Sequence, residues 1–160
     1  MLTVSDGVSE GVREDASGEA VERVLRDAGY RVTRRVVPDD RKAIERTLRG
    51  LAEEAGLVVT TGGTGLGPRD VTPEATRAVI DREAPGFGEA MRAAGRASTP
   101  MADLSRGTAG SLGTTLIVNL PGSPAGAEES LRSVLPILSH AMDLLSGGGK
   151  HEQTGTGRTR

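Results

Sequence analysis

The chain has 160 residues, of which 36% are hydrophobic and 26% charged, values that fit one globular domain with a core of its own. Twenty basic and twenty-two acidic residues leave a net charge of −2, which argues against a nucleic-acid or membrane-surface protein. Two aromatics, Tyr30 and Phe87, give no stacking platform for single-stranded nucleic acid. The absence of cysteine excludes disulfides and thiolate chemistry. We expect a cytoplasmic protein without a signal peptide or a membrane span.

The first third of the chain alternates short apolar segments with amphipathic ones. In chain order they predict a strand over 1–5, a surface loop over 6–16, a helix over 18–28, a strand over 30–37 and a helix over 40–55. Ser17 is the expected cap of the first helix, and Asp39 or Asp40 that of the second. Gly29 and Gly56 are the expected stops. Three arginines in the second strand indicate that one of its sides is exposed.

The stretch from residue 57 to residue 76 is the most informative part of the sequence. Its apolar run, 57–61, predicts a central strand covered on both faces. Thr72 as cap and Pro73 at the first helical position predict a helix start, and Asp70 places a carboxylate just before it. Four glycines directly follow the strand and would let backbone N–H groups approach a ligand closely: Gly62, Gly63, Gly65 and Gly67.

The second half continues the alternation. It predicts helices over 73–82 and 87–95, strands over 105–111 and 114–119 with a turn near Gly113, and a last helix from Pro124 to about residue 145. Ser123 is the expected cap of the last helix, and Pro136 predicts a kink or a restart within it. The glycine-rich and polar residues 147–160 predict a disordered C-terminal tail.

Strands that alternate with helices predict a three-layer α/β fold, with a mostly parallel central sheet and helices on both faces. In such sheets ligands bind beyond the carboxyl ends of the strands. Four segments follow predicted strands and should meet at that edge: Ser5–Asp6, Asp39–Asp40, residues 62–70 and residues 119–123.

The glycine loop matches neither of the two common phosphate-loop motifs. The Walker A spacing is met at Gly62 and Gly67, but Pro68 stands where lysine is required. The dinucleotide pattern fails because the run from Gly63 to Gly67 is one residue short. A P-loop NTPase and a Rossmann dehydrogenase are therefore disfavoured, and the loop is either a phosphate site of another kind or a tight turn.

The polar residues around the loop also allow two interpretations. Asp39 and Asp70 are either helix-entry residues or, beside a glycine loop, ligands of a Mg²⁺ ion that also binds substrate phosphates. Ser5, Ser105 and Ser123 have no base beside them in sequence, so they are hydroxyl donors to a phosphate or caps of local turns. His140 and His151 have no partner at metal-ligand spacing.

Six motifs that follow one another along residues 1–146 resemble those of a known family. They are Thr3-Val4-Ser5-Asp6, Val37-Pro38-Asp39, Thr60-Thr61-Gly62-Gly63-Thr64-Gly65, Pro68-Arg69-Asp70-Val71-Thr72-Pro73-Glu74-Ala75-Thr76, Leu104-Ser105-Arg106 and Leu116-Ile117-Val118-Asn119-Leu120-Pro121-Gly122-Ser123. Together they resemble the MoaB/Mog family of molybdenum-cofactor biosynthesis proteins. Within the family the likeness is greatest to molybdopterin adenylyltransferases, including the G domain of gephyrin.

The resemblance implies a fold, an assembly and a reaction. Residues 1–146 would form a molybdopterin-binding domain that assembles as a homotrimer. The implied reaction is the Mg²⁺-dependent transfer of AMP from ATP to the terminal phosphate of molybdopterin, with release of pyrophosphate. A downstream molybdate-insertion protein would use the adenylylated product, in a molybdenum or a tungsten pathway.

The resemblance also implies which residues act. Asp39 and Asp70 match the family's two functional aspartates, as catalytic residues and Mg²⁺ ligands. The residues that match substrate- and nucleotide-binding positions are Ser5, Asp6, Gly62, Gly63, Thr64, Gly65, Ser105, Asn119, Pro121, Gly122 and Ser123. Relatives often carry a basic residue near Leu112 that this chain lacks. The resemblance implies that this basic residue contacts a substrate phosphate. In this chain the contact is then either weaker or supplied by Arg69 or Arg106.

Two other functions stay open at this point. One is a nucleotide hydrolase of the competence/damage-inducible type, which shares the domain but usually belongs to longer chains. The other is a non-catalytic molybdopterin-binding or scaffold protein of the same fold. Both aspartates are present, which favours the enzyme over the scaffold.

Overall fold

The computed structural model describes residues 1–148. Its strands are β1 (Leu2–Val4), β2 (Arg35–Val37), β3 (Leu57–Thr61), β4 (Arg82–Glu83), β5 (Ala109–Leu112) and β6 (Thr115–Leu120). Its helices are α1 (Asp6–Ser9), α2 (Ala16–Asp27), α3 (Arg41–Glu54), α4 (Thr72–Arg77), α5 (Pro85–Gly95) and α6 (Pro124–Leu145), with a 3₁₀ turn at Pro100–Leu104. Most of the predicted C-terminal tail, from residue 149, lies outside the described residues, as does His151.

The six strands form one sheet in the order β2-β1-β3-β6-β5-β4. The first four are parallel to one another, β5 pairs antiparallel with β6, and β4 pairs antiparallel with β5. The predicted mostly parallel α/β fold is therefore confirmed. Although β1 has three residues, it pairs with β2 on one side and with β3 on the other. It is an interior strand of the sheet.

Helices cover both faces of the sheet and enclose two hydrophobic clusters. Helices α2, α5 and α6 pack on one face, and α3 and α4 on the other. Side chains of a strand alternate between faces, so Val59 and Val118 join the first cluster, whereas Val58 and Ile117 join the second. Each fully buried side chain of this size contributes about 1.5–3 kcal/mol, which fixes the register that positions the strand ends.

The start of the chain departs from the sequence prediction. Residues 6–9 are predicted as loop but are helical. The Oγ of Ser5 accepts the N–H of Val8 and thereby caps a short helix. Helix α2 begins at Ala16, two residues earlier than predicted. Its cap is Asp15, whose Oδ1 accepts the N–H of Gly18 at 2.9 Å, and not Ser17.

The middle of the chain departs as well. Thr72 lies inside α4 and its hydroxyl is not a cap, since it donates to the carbonyl of Gly62. The helix predicted to reach residue 82 ends at Arg77, and β4 takes up Arg82 and Glu83 to extend the sheet edge. In the C-terminal part, the capping by Ser123 is confirmed, but α6 runs through Pro136 as one continuous helix. No helix within residues 1–148 has the length and apolarity to cross a bilayer.

Candidate functional site

The loops that follow β1, β2, β3 and β6 meet at the carboxyl edge of the sheet, as predicted. The N–H of Asp6 donates to Oδ2 of Asp39, which joins the loops after β1 and β2. A Cβ atom placed on Gly122, after β6, would lie 3.2 Å from the Cα of Gly62, after β3. Parallel alignment of the four strands therefore produces one shared surface.

Asp6 and Asp39 are bound to each other through reciprocal hydrogen bonds. Each backbone N–H donates to the other's carboxylate, at 2.9 Å in both directions. Arg69 then closes over Asp6 with a bidentate contact, its Nη2 lying 2.8 Å from Oδ2 and 3.0 Å from Oδ1. The three loops that carry these residues are thereby tied together, although they are far apart in sequence.

The pKa values of the two carboxyl groups are shifted in opposite directions. The donated N–H of Asp39 and then the Arg69 guanidinium lower the pKa of Asp6 below its ordinary value. Burial raises the pKa of Asp39, and the nearby charges of Asp6 and Asp70 raise it further. Asp6 is thus a fixed structural anion, whereas Asp39 is a carboxylate that a proton or a cation would stabilise.

The glycine loop has a backbone that other residues do not readily adopt. Gly62 has φ of 98° and Gly63 has φ of 64°, both in the left-handed region. A Cβ atom on Gly62 would overlap the carbonyl oxygen of Val4, and one on Gly63 would overlap Oγ1 of Thr72. The turn after β3 therefore lies directly against β1 and the start of α4.

Asp70 folds the second part of the loop around its own carboxylate. Its Oδ2 accepts the N–H of Gly67 at 2.8 Å, and its N–H donates to the Gly67 carbonyl at 3.0 Å. Cβ atoms on Gly65 and Gly67 would lie 2.9 and 2.8 Å from that same Oδ2. The glycines thus allow the carboxylate to approach the backbone.

Arg106 holds the loop from the other side. Its Nε donates to the carbonyl of Gly65 and its Nη2 to that of Asp70, both at 2.7 Å, and it forms an ion pair with Glu74. The sequence motif contained Arg106, but only as a possible phosphate contact. Because its guanidinium is already used by the loop and Glu74, the structure makes it the residue that orders the loop around Asp70.

Two clefts open on this edge and share one wall. The larger has a volume of about 800 Å³ and is lined by Ser5, Asp39 and Asp70 together with Arg13. The smaller has a volume of about 310 Å³ and a more apolar lining. Gly122 and Ser123 line both clefts.

The structure distributes the predicted site residues over these clefts. The larger cleft holds Ser5, Asp39, Gly62, Gly63, Asp70, Gly122 and Ser123. The smaller cleft holds Thr64, Gly65, Ser105, Pro121, Gly122 and Ser123. Asp6 lines neither cleft and acts on the site through Asp39.

Asn119 lies behind the site instead of lining a cleft. It is fully buried, and its Nδ2 donates to the hydroxyls of Thr60 and Thr76. Its Oδ1 has no hydrogen-bond partner in the described part of the chain. The side chain therefore joins β6 to β3 and α4 beneath the glycine loop.

The turn near Leu112 belongs to the opposite edge of the sheet. Leu112 pairs with Thr115, the first residue of β6, whereas the clefts lie beyond Leu120, the last. Within one chain, a basic side chain in that turn would not face either cleft. The expectation that Arg69 or Arg106 replaces it has no geometric support, because both guanidinium groups already contact acidic side chains.

Asp39 and Asp70 fit a divalent cation only if a ligand completes its coordination. Residues 1–148 contain no group of three or more histidine, cysteine, aspartate or glutamate side chains that could hold a metal ion. Each of the two carboxylates has one oxygen taken by a backbone N–H. The other oxygen of each has no hydrogen-bond donor within the described residues. Two free carboxylate oxygens suit Mg²⁺ bound largely through substrate phosphates and water.

The fold and the site define an α/β protein with a candidate binding site at the carboxyl edge of its sheet. Comparison with known families then specifies which one: the model described as "probable molybdopterin binding domain" matches residues 1–140. The chain belongs to this family, and its MoaB/Mog resemblance is confirmed.

Similar proteins agree with this assignment. The chain is 43% identical over 152 residues to a molybdopterin adenylyltransferase of Helicobacter pylori strain J99, covering 92% of this chain and 86% of the relative. It is 44% identical over 139 residues to the Escherichia coli K12 protein of that name, covering 84% of this chain and 71% of the relative. The crystal structure of MoaB, a molybdopterin biosynthesis enzyme of Thermus thermophilus, superposes with a TM-score of 0.86 at 52% identity, covering 91% and 94%.

Proposed function

We propose that this protein is a molybdopterin adenylyltransferase of molybdenum-cofactor biosynthesis. In this reaction an oxygen of the terminal phosphate of molybdopterin bonds to the α-phosphorus of ATP. The bond from that phosphorus to the bridging oxygen breaks, and pyrophosphate leaves with the bond's electrons. Relatives that share 43–44% identity over most of the chain carry the name of this activity.

The observation that carries the proposal is the pair of clefts on either side of one wall. A transfer between two substrates needs two binding spaces whose ends meet, and Gly122 and Ser123 form the common boundary of such spaces. Asp39 and Asp70 both line the larger cleft, beside the glycine loop. The reacting phosphates would therefore lie near these two carboxylates and the shared wall.

Each polar group near the wall has a role in this reaction. The N–H groups of Gly63 and Gly65, unlike those of Gly62 and Gly67, have no acceptor within residues 1–148 and would hold phosphate oxygens. The hydroxyls of Ser5 and Ser123 would hold others. Asp39, whose pKa is raised, is a carboxylate that a cation would stabilise, and its one free oxygen would bind the metal. Mg²⁺ held by Asp39, Asp70 and phosphate oxygens would neutralise the charge on the transferred group when bound.

Pyrophosphate release from the purified protein with molybdopterin, ATP and Mg²⁺ tests the proposal. Asp70→Asn keeps an oxygen that can accept the Gly67 N–H, so it removes the charge and preserves the loop. Because it weakens the metal site, it should lower turnover by about 100-fold or more without unfolding the protein. The matched control is Asp27→Asn, at the exposed end of α2, which should leave turnover unchanged.

One outcome would contradict the proposed reaction, and a second would contradict only the role of Asp70. Tight molybdopterin binding without ATP-dependent turnover would identify a scaffold protein. Full turnover in Asp70→Asn would remove the role assigned to that carboxylate while leaving the reaction intact.

The assembly and domain boundary remain part of the same proposal. We infer one domain over residues 1–146, because the family model ends at residue 140 and α6 at Leu145. We also propose a homotrimer and a downstream partner that inserts molybdate. Analytical ultracentrifugation tests the trimer, and product transfer to a molybdate-insertion protein tests the partner.

A further inference from the structure

Arg13 is the basic residue that lines the larger cleft. The two other arginines near the site are committed elsewhere, Arg69 to Asp6 and Arg106 to Glu74 and loop carbonyls. Arg13 forms no ion pair with any acidic side chain of residues 1–148, and its guanidinium has one hydrogen-bond acceptor there, the hydroxyl of Ser5. The cleft that contains Asp39, Asp70 and Glu14 therefore also contains an arginine that forms no direct ion pair within the described residues.

The backbone around Arg13 holds it against α1. After Gly11, which has φ of 71°, the chain folds back so that the N–H groups of Val12 and Arg13 both donate to the carbonyl of Gly7 at 3.0 Å. A Cβ atom on Gly7 would lie 3.5 Å from Cβ and 3.8 Å from Nε of Arg13. The Arg13 side chain therefore runs alongside α1 at van der Waals distance from Gly7.

The other end of the side chain is held by Ser5. Nη2 of Arg13 donates to Oγ of Ser5 at 2.9 Å. This contact uses one of the five N–H groups of the guanidinium and leaves four for a ligand. An arginine held at both ends loses less conformational entropy on binding than a freely moving one.

The same contact orients the Ser5 hydroxyl. A hydroxyl oxygen accepts two hydrogen bonds, and that of Ser5 receives one from Arg13 and one from the N–H of Val8 at 3.3 Å. With both lone pairs in use, the Ser5 proton is available to a third group. Ser5 and Arg13 both line the larger cleft, so they present donors to the same space.

We propose that Arg13 and Ser5 form one phosphate-binding pair in the larger cleft, with Arg13 supplying the positive charge and fixing Ser5 as a donor. The ligand chemistry is a phosphate group, because an oxyanion with several oxygens accepts from both residues at once. This inference rests on the proposed function, which supplies two sources of that group: the triphosphate of ATP and the terminal phosphate of molybdopterin.

Binding measurements on the full-length protein separate these sources. Calorimetry with ATP, pyrophosphate and adenosine would be run on wild type, Arg13→Ala and Arg13→Lys, alongside KM values for ATP and molybdopterin. Arg13→Ala should weaken at least one phosphate-bearing ligand about tenfold, the loss expected for one exposed charge-assisted contact. The affinity of Arg13→Lys should lie between those of wild type and Arg13→Ala, because lysine keeps the charge and loses the planar fork of donors.

Adenosine and a distant arginine are the controls. Adenosine lacks phosphate, so its affinity should be equal in wild type and Arg13→Ala. Arg46→Ala removes the same charge from the exposed surface of α3 and should leave all affinities unchanged. Weaker ATP and pyrophosphate binding would assign the pair to the nucleotide. A raised KM for molybdopterin alone would assign it to the pterin phosphate.

Two results would overturn the inference. One is an Arg13→Ala variant whose KM values and phosphate affinities all stay within about twofold of wild type. Loss of a charge-assisted contact should change at least one of them by more than that. The other is an equal loss of affinity for adenosine and ATP, which would show that the phosphate is not what Arg13 recognises. Absence of pyrophosphate release from wild type, with ATP binding still sensitive to Arg13, would instead refute the proposed function and leave the phosphate pair standing.

Discussion

Replacement of Gly63 by alanine tests the account of the glycine loop most directly. Gly63 has φ of 64°, and a Cβ atom there would overlap Oγ1 of Thr72. That hydroxyl is buried and donates to the carbonyl of Gly62 at 2.9 Å, so it has to move and give up its bond. The substitution therefore combines a backbone penalty with a lost buried hydrogen bond.

The structure gives a magnitude for each contribution. An alanine in the left-handed region costs about 1–2 kcal/mol. A buried hydroxyl and carbonyl that lose each other cost about 1–3 kcal/mol more. Gly63→Ala should thus lower the free energy of unfolding by about 2–5 kcal/mol, a large share of the 5–15 kcal/mol typical of a domain. It should also impair turnover, because Asp39 lies 3.2 Å from the added Cβ.

Two other glycines serve as matched controls in urea denaturation. Gly29 has φ of 90° with nothing within 4 Å of an added Cβ, so Gly29→Ala measures the backbone penalty alone. Gly50 lies inside α3 with nothing within 4 Å, so Gly50→Ala should stabilise by about 0.5–1 kcal/mol. In a Thr72→Ala background, Gly63→Ala should cost less than in wild type. A Gly63→Ala variant no less stable than Gly29→Ala would refute the reasoning.

Three further substitutions probe the groups around the loop. Since burial and neighbouring charges raise the pKa of Asp39, its ionisation destabilises the fold as pH rises from the ordinary pKa through the raised one. Asp39→Asn should therefore be more stable than wild type at pH 7 by denaturant titration, yet lose pyrophosphate release; a less stable variant would contradict this. Arg106→Ala frees the carbonyls of Gly65 and Asp70, so hydrogen exchange of residues 62–70 should accelerate, and unchanged protection would refute the role of Arg106. Asn119→Ala should lower the free energy of unfolding by about 2–4 kcal/mol in urea, because it removes two buried hydrogen bonds; a loss under about 1 kcal/mol would show that they are dispensable.

Hydrophobic periodicity predicts the alternation of strands and helices, because an element that buries one face carries apolar residues at the spacing of that element. Helix α3 and strand β3 are close to their predicted bounds, since their apolar residues repeat at helical or strand spacing and a polar cap or glycine ends them. The convergence of the four loops followed from parallel strand order alone. These features depend on local sequence and on one topological rule.

The remaining features depend on contacts between distant residues, which a single sequence does not reveal. The short helix α1 is stabilised partly by the N–H of Asp6 bonding to Asp39. Strand β4 has two residues without alternation and exists because β5 pairs with it. Asn119 is predicted from its motif as a ligand contact, and in the structure its Nδ2 donates to threonines of β3 and α4 from a buried position behind the clefts. Polar residues can serve a site from behind, and sequence spacing alone does not distinguish the two positions.

The position of β6 has a consequence for how the protein folds. Strand β6 is the last strand in sequence, yet it lies inside the sheet between β3 and β5. The two parts of the sheet, β2-β1-β3 and β5-β4, meet only through it. A growing polypeptide therefore cannot close either core until residues 115–120 have been made, and pairing between such distant strands is slow. The shared wall, Gly122 and Ser123, forms at that step, so recovery of activity on refolding reports closure of the whole sheet.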